Sequence, residues 1–210
     1  MDDSKLRAEP APRAIGEVRI IGGTLKRSKV KILDRPTLRP TPDRIRETLF
    51  NWLAPCIEGA RVLDLCAGTG VLGLEALSRG AEFAHFNEAD AHLARQIAAE
   101  AVRLKVADRT QVSNRRAEML LNEPANSRFD VVFVDPPFDA DLWARLLFRL
   151  PPWLAPGAWV YLEHPREIAA PIAAGWKIHR QAAAGRIDFY LLELDTASLV
   201  VPVSQEASLP

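Results

Sequence analysis

The sequence has few of the residues from which metal sites, disulfide frameworks and membrane spans are built. It contains only two cysteines, Cys56 and Cys66, without C-x-x-C spacing, and its four histidines are scattered along the chain. This pattern argues against a zinc site and against a disulfide-stabilised fold. No apolar run approaches the length of a membrane-spanning helix, and the first residues lack the layout of a secretory signal. We therefore expect a cytoplasmic protein without a metal and without a membrane partner.

The sequence also lacks net charge, because 27 Lys and Arg residues balance 27 Asp and Glu residues. The charges are nevertheless unevenly distributed, since residues 18–46 contain nine cationic side chains and only two aspartates. Clustered cations are typical of phosphate-binding surfaces, where each neutralised phosphate releases counterions. A solvated charged face is the alternative interpretation.

From about residue 60 onwards, strand-like and helix-like segments alternate. This pattern predicts an α/β fold with a doubly wound, mostly parallel sheet. The segments 176–181 and 187–194 have no helix between them, so we expect a last strand that is antiparallel. The predicted strand 159–163 ends at His164-Pro165.

Ahead of this alternating region, two short strands (18–21 and 29–33) around Gly22-Gly23 predict a basic β-hairpin. Thr41-Pro42-Asp43 then predicts a helix start with the Thr41 hydroxyl as its cap. The expected organisation is a flexible tail (1–17), a basic hairpin-and-helix extension (18–55), an α/β domain (56–195) and a second flexible tail (196–210).

The most informative stretch is the apolar segment 129–134 followed by Asp135-Pro136-Pro137-Phe138. Neither proline can donate a ladder hydrogen bond, so the strand must end there. A carboxylate, carbonyl groups and an aromatic ring then meet at a strand's carboxyl end, where open α/β sheets bind ligands. Asp135 and the Pro136 carbonyl can accept hydrogen bonds from an amine while Phe138 stacks on its ring. A plain polyproline turn is the alternative.

Residues 68–73 fit the pattern G-x-G-x-x-G between a strand and a helix, and Glu88 follows Gly68 by 20 residues. This is the fingerprint of a dinucleotide site, which would place a pyrophosphate on the helix N-terminus. However, Asp64 precedes the loop, where it would repel a pyrophosphate but attract an ammonium group. Together with the amine-acceptor motif, these acids favour S-adenosylmethionine over a nicotinamide dinucleotide.

Four stretches carry a resemblance to a known family: residues 19–23, 38–53, 64–81 and 135–138. They resemble the bacterial 16S ribosomal RNA guanine-N2 methyltransferases of the guanine-966 type, over residues 18–194. The resemblance implies a Rossmann-like class I methyltransferase fold, S-adenosylmethionine as the methyl donor, and small-subunit ribosomal RNA or an assembling 30S particle as the partner. We expect a monomer.

The expected site residues follow from these motifs. Catalysis is assigned to Asp135, Pro136, Pro137 and Phe138, with Asp135 near its ordinary pKa and accepting a proton late in the reaction. Cofactor binding is assigned to Asp64, Ala67, Gly68, Gly70 and Glu88, with adenine held by the backbone of Arg116 and Ala117. RNA binding is assigned to Arg19, Lys26, Arg27, Lys29, Arg39 and Arg44. Two groups of alternatives remain: an amino-methyltransferase acting on DNA adenine N6, cytosine N4 or a protein glutamine, and a dinucleotide-binding redox or regulatory domain.

Overall fold

The computed structural model describes residues 12–35, 38, 41–138, 141–172 and 174–195. These residues form nine strands and five α-helices, with 3-10 turns at Ala107–Arg109 and Pro151–Trp153. The strands are β1 (Ala14–Arg19), β2 (Lys29–Leu33), β3 (Arg61–Asp64), β4 (Phe83–Asn87), β5 (Thr110–Ser113), β6 (Phe129–Val134), β7 (Leu154–Pro165), β8 (Trp176–Ala184) and β9 (Ile187–Leu194). The helices are α1 (Asp43–Leu53), α2 (Val71–Ser78), α3 (Ala91–Arg103), α4 (Ala117–Leu121) and α5 (Trp143–Arg149).

Seven strands form the central sheet, in the order β5-β4-β3-β6-β7-β9-β8. The strands from β3 to β7 pair in parallel, and β9 lies antiparallel between β7 and β8. The predicted fold class, a mostly parallel doubly wound sheet with an antiparallel strand near its end, is therefore confirmed. The apolar residues 131–134 of β6 are fully buried because helices cover both faces of the sheet.

Some predicted boundaries differ from the structure. Strand β1 begins at Ala14, which is paired with Leu33, so part of the predicted flexible tail belongs to the hairpin. Ile20 and Ile21 leave the strand, and the amide of Ile21 donates instead to a side chain of α2. Strand β7 continues through His164 to Pro165, where a break was predicted, because β9 pairs with it along this length. The predicted tail 196–210 lies outside the described residues.

The N-terminal extension shares a hydrophobic core with the α/β domain. Val18, Val30 and Leu49 belong to the same buried cluster as Leu74 of α2 and Phe133 of β6. Full burial of a side chain of this size stabilises a fold by about 1.5–3 kcal/mol. Hairpin and helix are therefore packed onto the domain rather than attached to it by a linker.

A buried ion pair reinforces this docking. Arg46, which the sequence places in the cationic cluster, is 0% exposed and lies 3.5 Å from the equally buried Glu75 of α2. The other oxygen contacts of Glu75 come from the backbone amides of Ile21 (2.7 Å) and Gly22 (2.8 Å) and from Arg79 (2.8 Å). Buried charges are tolerated when they are paired and hydrogen-bonded in this way. Arg46 is thus a structural residue and is not available at the surface to bind a phosphate.

Candidate functional site

The site is built at the carboxyl edge of the parallel strands. Strand β3 ends at Asp64, which is paired in register with Phe133 of β6. The amide of Leu65 continues this pairing by donating to the Phe133 carbonyl at 3.1 Å. Since the two strands are parallel neighbours, the loop after β3 and the motif after β6 emerge side by side.

The loop after β3 makes a tight turn into α2. Gly68 and Gly70 both have positive φ values, +54° and +77°, and the Gly70 amide donates to the Ala67 carbonyl at 2.6 Å. L-residues rarely adopt this left-handed conformation, which explains the need for glycine at both positions. The Ala67 amide donates to the Asn87 carbonyl at 3.0 Å, which ties the loop to the end of β4.

Asp64 lies beneath this loop and is only 2% exposed. Its Oδ2 accepts the amide hydrogen of Gly73, in the first turn of α2, at 3.0 Å. Burial raises the pKa of Asp64 to about 7, the Gly73 hydrogen bond opposes this rise, and the charges of Asp135 and Glu88 add to it. The carboxylates of Asp135 and Glu88 therefore lie close enough to Asp64 to influence its ionisation.

Glu88 follows β4 and closes the other side of the loop. Its carboxylate accepts hydrogen bonds from the amides of Gly68 (2.7 Å) and Asp90 (2.8 Å). Burial raises the pKa of Glu88, while these backbone hydrogen bonds lower it. The structure thus places Glu88, which was predicted to bind the cofactor, next to the glycine loop, where backbone amides already donate to its carboxylate oxygens.

The predicted adenine-binding residues follow β5. The amide of Arg115 donates to the Glu88 carbonyl at 3.1 Å, so this loop lies against the end of β4. Arg116 is exposed and immediately precedes α4, whereas Ala117 is buried as the first residue of that helix. Their backbone groups are thereby held near Glu88, and their assignment to adenine stays a prediction.

Asp135 directly follows β6 and contacts a side chain from the N-terminal extension. The Thr41 hydroxyl lies 3.4 Å from Asp135 Oδ2 and 3.2 Å from Glu163 Oε2. The prediction that Thr41 caps α1 is therefore wrong: Pro42 occupies the N-cap position and no side chain caps the helix. The hydroxyl points to the two carboxyl groups because Thr41 is buried against the ends of β6 and β7.

The expectation of an ordinary pKa for Asp135 is also wrong. Burial raises the pKa of Asp135, and hydrogen bonding with Glu163 and Thr41 only partly lowers it. A carboxylate with a raised pKa is a stronger proton acceptor than a solvated one. The raised pKa therefore favours the predicted role of Asp135 as the proton acceptor.

The rest of the motif presents one buried and two accessible residues. Pro136 is buried, Pro137 is exposed, and Phe138 is 38% exposed with its ring centroid 6.0 Å from that of Trp143. Trp143 is itself fully buried and donates from Nε1 to the Glu163 carbonyl at 2.7 Å. The Phe138 ring is therefore accessible beside Asp135, and the buried Trp143 ring supports it.

Most of the predicted RNA-binding residues lie at the surface. Exposed cations are found at Arg19, Lys26, Arg27, Lys29 and Arg44, and Arg39 lies outside the described residues. Lys29 forms a surface ion pair with Glu17 at 2.6 Å, which contributes little to stability. These exposed cations lie on or beside the hairpin and at the start of α1. We refer to them together as the basic face of the extension, and their role in RNA binding stays a prediction.

Three residues of the site were not identified from the sequence: Thr41, Trp143 and Glu163. The signal for Glu163 was an acid at the end of an apolar strand, next to the strand that ends in Asp135. Recognising it requires the pairing of β6 with β7, which the sequence pattern alone does not specify. Thr41 contacts Asp135 across 94 positions, and no local pattern could have indicated this contact.

The acidic groups of the site suit a cationic or hydroxyl-rich ligand. Asp64, Glu88 and Asp135 provide three carboxyl groups around the glycine loop, and such a set would repel a pyrophosphate. An ammonium group near Asp64 and ribose hydroxyls near Glu88 are compatible with it.

No group of three or more His, Cys, Asp or Glu residues in the described part of the chain could hold a metal ion. None of the helices described is long and apolar enough to cross a membrane.

Comparison with known proteins supports this chemistry. The family described as conserved hypothetical protein 95 matches residues 18–193. The chain belongs to this family. A relative from Escherichia coli, named ribosomal RNA small subunit methyltransferase D, is 41% identical over 188 residues, which is 88% of this chain and 94% of the relative.

Solved structures agree with the fold and the enzyme class. The structure of yhhF from Escherichia coli, described as a methyltransferase, matches with a TM-score of 0.79 at 39% identity, covering 86% of this chain and 99% of that one. A more distant RNA methyltransferase from Salinibacter ruber, in complex with S-adenosyl-L-homocysteine, shares the fold with a TM-score of 0.56 at 21% identity, over 73% of this chain and 92% of that one. The family resemblance seen in the sequence is confirmed. The chain is a methyltransferase, and the dinucleotide-binding alternative is not supported.

Proposed function

We propose that this protein transfers a methyl group from S-adenosylmethionine to the exocyclic N2 amine of a guanine in small-subunit (16S) ribosomal RNA. The observation that carries the proposal is the position of Asp135. Its carboxylate follows β6, at the same sheet edge as the loop after β3, and an accessible aromatic ring lies three residues further on. An acceptor of N–H hydrogen bonds thereby lies beside the glycine loop, where Asp64 and Glu88 would bind the methyl donor.

The donor residues fit S-adenosylmethionine, which when bound supplies a methyl group activated by its sulfonium charge. Asp64 would pair with the ammonium of the methionine part, and Glu88 would accept hydrogen bonds from the ribose. Ala67, Gly68 and Gly70 would line the loop around the ligand. Arg116 and Ala117 would contact the adenine through backbone groups.

The acceptor base would be held by the motif after β6. Asp135 and the Pro136 carbonyl would accept the two amine hydrogens, and Phe138 would stack on the flipped base, a contact worth about 1–3 kcal/mol. Because a guanine amine is a poor nucleophile, correct alignment is the main contribution, and it can supply about 7–11 kcal/mol of the barrier. The amine becomes acidic as it gains the methyl group, so Asp135 would take its proton late.

The basic face of the extension would bind the phosphate backbone through Arg19, Lys26, Arg27, Lys29, Arg39 and Arg44. We infer that the partner is ribosomal RNA, either free or in an assembling 30S particle, and that the enzyme acts in the cytoplasm as a monomer. The buried docking of the extension supports this role, because a rigid extension can orient the RNA relative to Asp135.

A methyl-transfer assay with four substrates tests the proposal. Purified protein and labelled S-adenosylmethionine are incubated with assembled small subunits, naked 16S RNA, duplex DNA or ribosomal proteins, and nucleosides are identified by mass spectrometry. We expect N2-methylguanosine at one position in the RNA of one or both ribosomal substrates. Labelling only of DNA adenine, of cytosine or of protein would contradict guanine N2 as the acceptor and would favour one of the alternative acceptors.

A further inference from the structure

Glu163 is an acid at the edge of the site to which the proposed reaction gives no role. It is 2% exposed, and it occupies the end of β7 next to Asp135. Phe133 pairs with Tyr161 and Val134 with Leu162 in the β6–β7 ladder, so the next pair brings Asp135 opposite Glu163. Two ionised carboxylates this close would destabilise each other, because Glu163 is buried and Asp135 is only partly exposed.

A count of protons shows what the geometry requires. The Thr41 hydroxyl approaches oxygens of both Glu163 and Asp135, at 3.2 and 3.4 Å, but it has only one hydrogen to donate. If Glu163 carries a proton, it can donate to Thr41 while Thr41 donates to Asp135. The Thr41 hydroxyl and the two carboxyl oxygens that face it, Glu163 Oε2 and Asp135 Oδ2, then each have a hydrogen-bond partner.

We propose that Glu163 is a positioning residue for the methyl-transfer reaction: it keeps a proton that it donates to Thr41, whose own hydroxyl hydrogen holds Asp135 in the orientation that accepts the substrate amine. This inference rests on the proposed function of Asp135. It adds a three-residue chain, Glu163–Thr41–Asp135, to the motif after β6. It also makes the N-terminal extension part of the active site, because Thr41 precedes Pro42, the N-cap residue of α1.

The surroundings of Glu163 agree with a neutral carboxylic acid. Burial raises the pKa of Glu163 well above its ordinary value. The charge of Asp135 and hydrogen bonding with its carboxyl group raise it further, and hydrogen bonding with Thr41 and Tyr161 only partly lowers it. Tyr161, from the same strand, is fully buried, and neither its hydroxyl nor Oε1 of Glu163 has a hydrogen-bond partner of standard geometry in the described part of the chain. Burial beside the acidic groups of Glu163 and Asp135 raises the pKa of Tyr161 well above its ordinary value, so Tyr161 stays neutral.

Other charged groups around the chain do not neutralise an ionised Glu163. Asp64, at the end of β3, is an acid whose pKa is raised by burial and by the charge of Asp135, so it offers no neutralising charge. The cation packed against this region is Arg46 of α1, which donates from Nε to the Thr41 carbonyl at 3.1 Å and from its other nitrogens to Asp43 and the Arg19 carbonyl. Arg46 therefore supports the backbone of Thr41 rather than either carboxyl group.

The first experiment needs neither RNA nor the methyl donor. Carbon-13 NMR of the protein with labelled glutamate carboxyl groups is followed from pH 5 to pH 9, and Glu163→Gln assigns the resonance. We expect the Glu163 carboxyl to be protonated at pH 7. An ionised Glu163 at pH 7 would overturn the inference while leaving the proposed methyl-transfer function standing.

Kinetics then test the consequence for catalysis. Glu163→Gln keeps a donor to Thr41, and we expect its kcat to stay within about threefold of wild type. Glu163→Leu and Thr41→Val break the chain, and each should lower kcat by about tenfold to a hundredfold at little changed KM, the range for a lost hydrogen bond to a charged group. Should Glu163→Leu fail to fold, Thr41→Val and the NMR titration still decide the question.

The pH profile separates positioning from a merely structural role. Wild-type kcat should fall at alkaline pH as Glu163 loses its proton, and this fall should be absent in Glu163→Gln. Glu100→Gln, at a similarly buried glutamate on α3 that pairs with Arg103, is the matched control and should leave kcat and its pH profile unchanged. A Glu163→Leu variant with wild-type kcat, or a Glu163→Gln variant as impaired as Glu163→Leu, would refute the inference. Absence of RNA methylation by the wild type would instead count against the proposed function.

Discussion

Gly23 lies so close to Ser78 that a Cβ at position 23 would be 1.8 Å from the Ser78 carbonyl oxygen. The same carbonyl accepts the Thr24 amide at 2.7 Å, and the Ser78 hydroxyl accepts the Leu25 amide at 2.9 Å. The turn of the basic hairpin is thus fastened by its backbone to the end of α2, the helix that begins at the glycine loop. Glycine at position 23 is required for this approach.

The contact predicts a large cost for Gly23→Ala. Gly59 is the matched control because its φ (+71°) equals that of Gly23 (+72°) within a degree, but a Cβ there would have no neighbour within 4 Å. Gly59→Ala should cost about 1–2 kcal/mol through left-handed strain alone. Gly23→Ala should cost about 1–3 kcal/mol more through the clash, measured by chemical denaturation. Equal losses in the two variants would show that the hairpin is not fastened at this point.

Replacement of Asp135 separates binding from turnover. Asp135→Ala should lower kcat by about 10²–10⁴, the contribution of a positioned proton acceptor, while S-adenosylmethionine binding measured by calorimetry stays within about threefold. Asp108→Ala, at an exposed acid in the 3-10 turn before β5, serves as the control and should change neither quantity. Near-wild-type turnover in Asp135→Ala would remove this residue from the mechanism.

Asp64 gives a pH prediction with a definite sign. Its pKa in the folded protein is about 7, above the ordinary value of 3.8, so the folded state binds more protons between these values. The ligand-free protein should therefore lose stability as the pH rises from about 4 to about 7, by up to about 4 kcal/mol from this group. Asp64→Asn should abolish that part of the slope in urea denaturation, and a slope unchanged by the substitution would contradict the assignment.

The same group should affect cofactor binding in the opposite direction. An ammonium beside Asp64 favours its ionised form, so the affinity for S-adenosylmethionine should increase with pH over this range and binding should release protons. Calorimetry in two buffers with different ionisation enthalpies measures that release.

The basic face predicts a salt-dependent effect on RNA affinity. Charge reversal at exposed Lys26 or Arg44 should weaken RNA binding and reduce the slope of log K against log salt concentration by about one. Arg128→Glu, at an exposed cation just before the amino end of β6 and hence at the opposite sheet edge, is the control. If all three variants behave alike, only net charge matters and the extension does not form the RNA-binding face. Arg46 is unsuitable for this test, because it is buried and its removal would take away one of the two cations that pair with Glu75.

The sequence was sufficient for the order of the elements and for the motifs. The apolar run 129–134 with its terminal prolines, and the glycines at 68 and 70, encode a strand end and a tight turn through local geometry. Such features depend on only a few consecutive residues. The resemblance to known methyltransferases then predicts the cofactor and the methyl acceptor. The antiparallel placement of β9 also followed from the missing helix between the last two strands.

The tertiary structure alone decided which distant groups meet. The sequence places Arg46 among surface cations and Thr41 at a helix cap, but packing of the extension buries both and gives them partners far along the chain. The sequence likewise offers no reason to connect Glu163 with Asp135, since that contact depends on which strands are neighbours in the sheet. Burial then changes the pKa of each carboxyl group, because the loss of hydration and the charges of neighbouring acids depend on the whole fold. Local sequence determines what each residue can do, whereas only the packed structure determines the surroundings in which it acts.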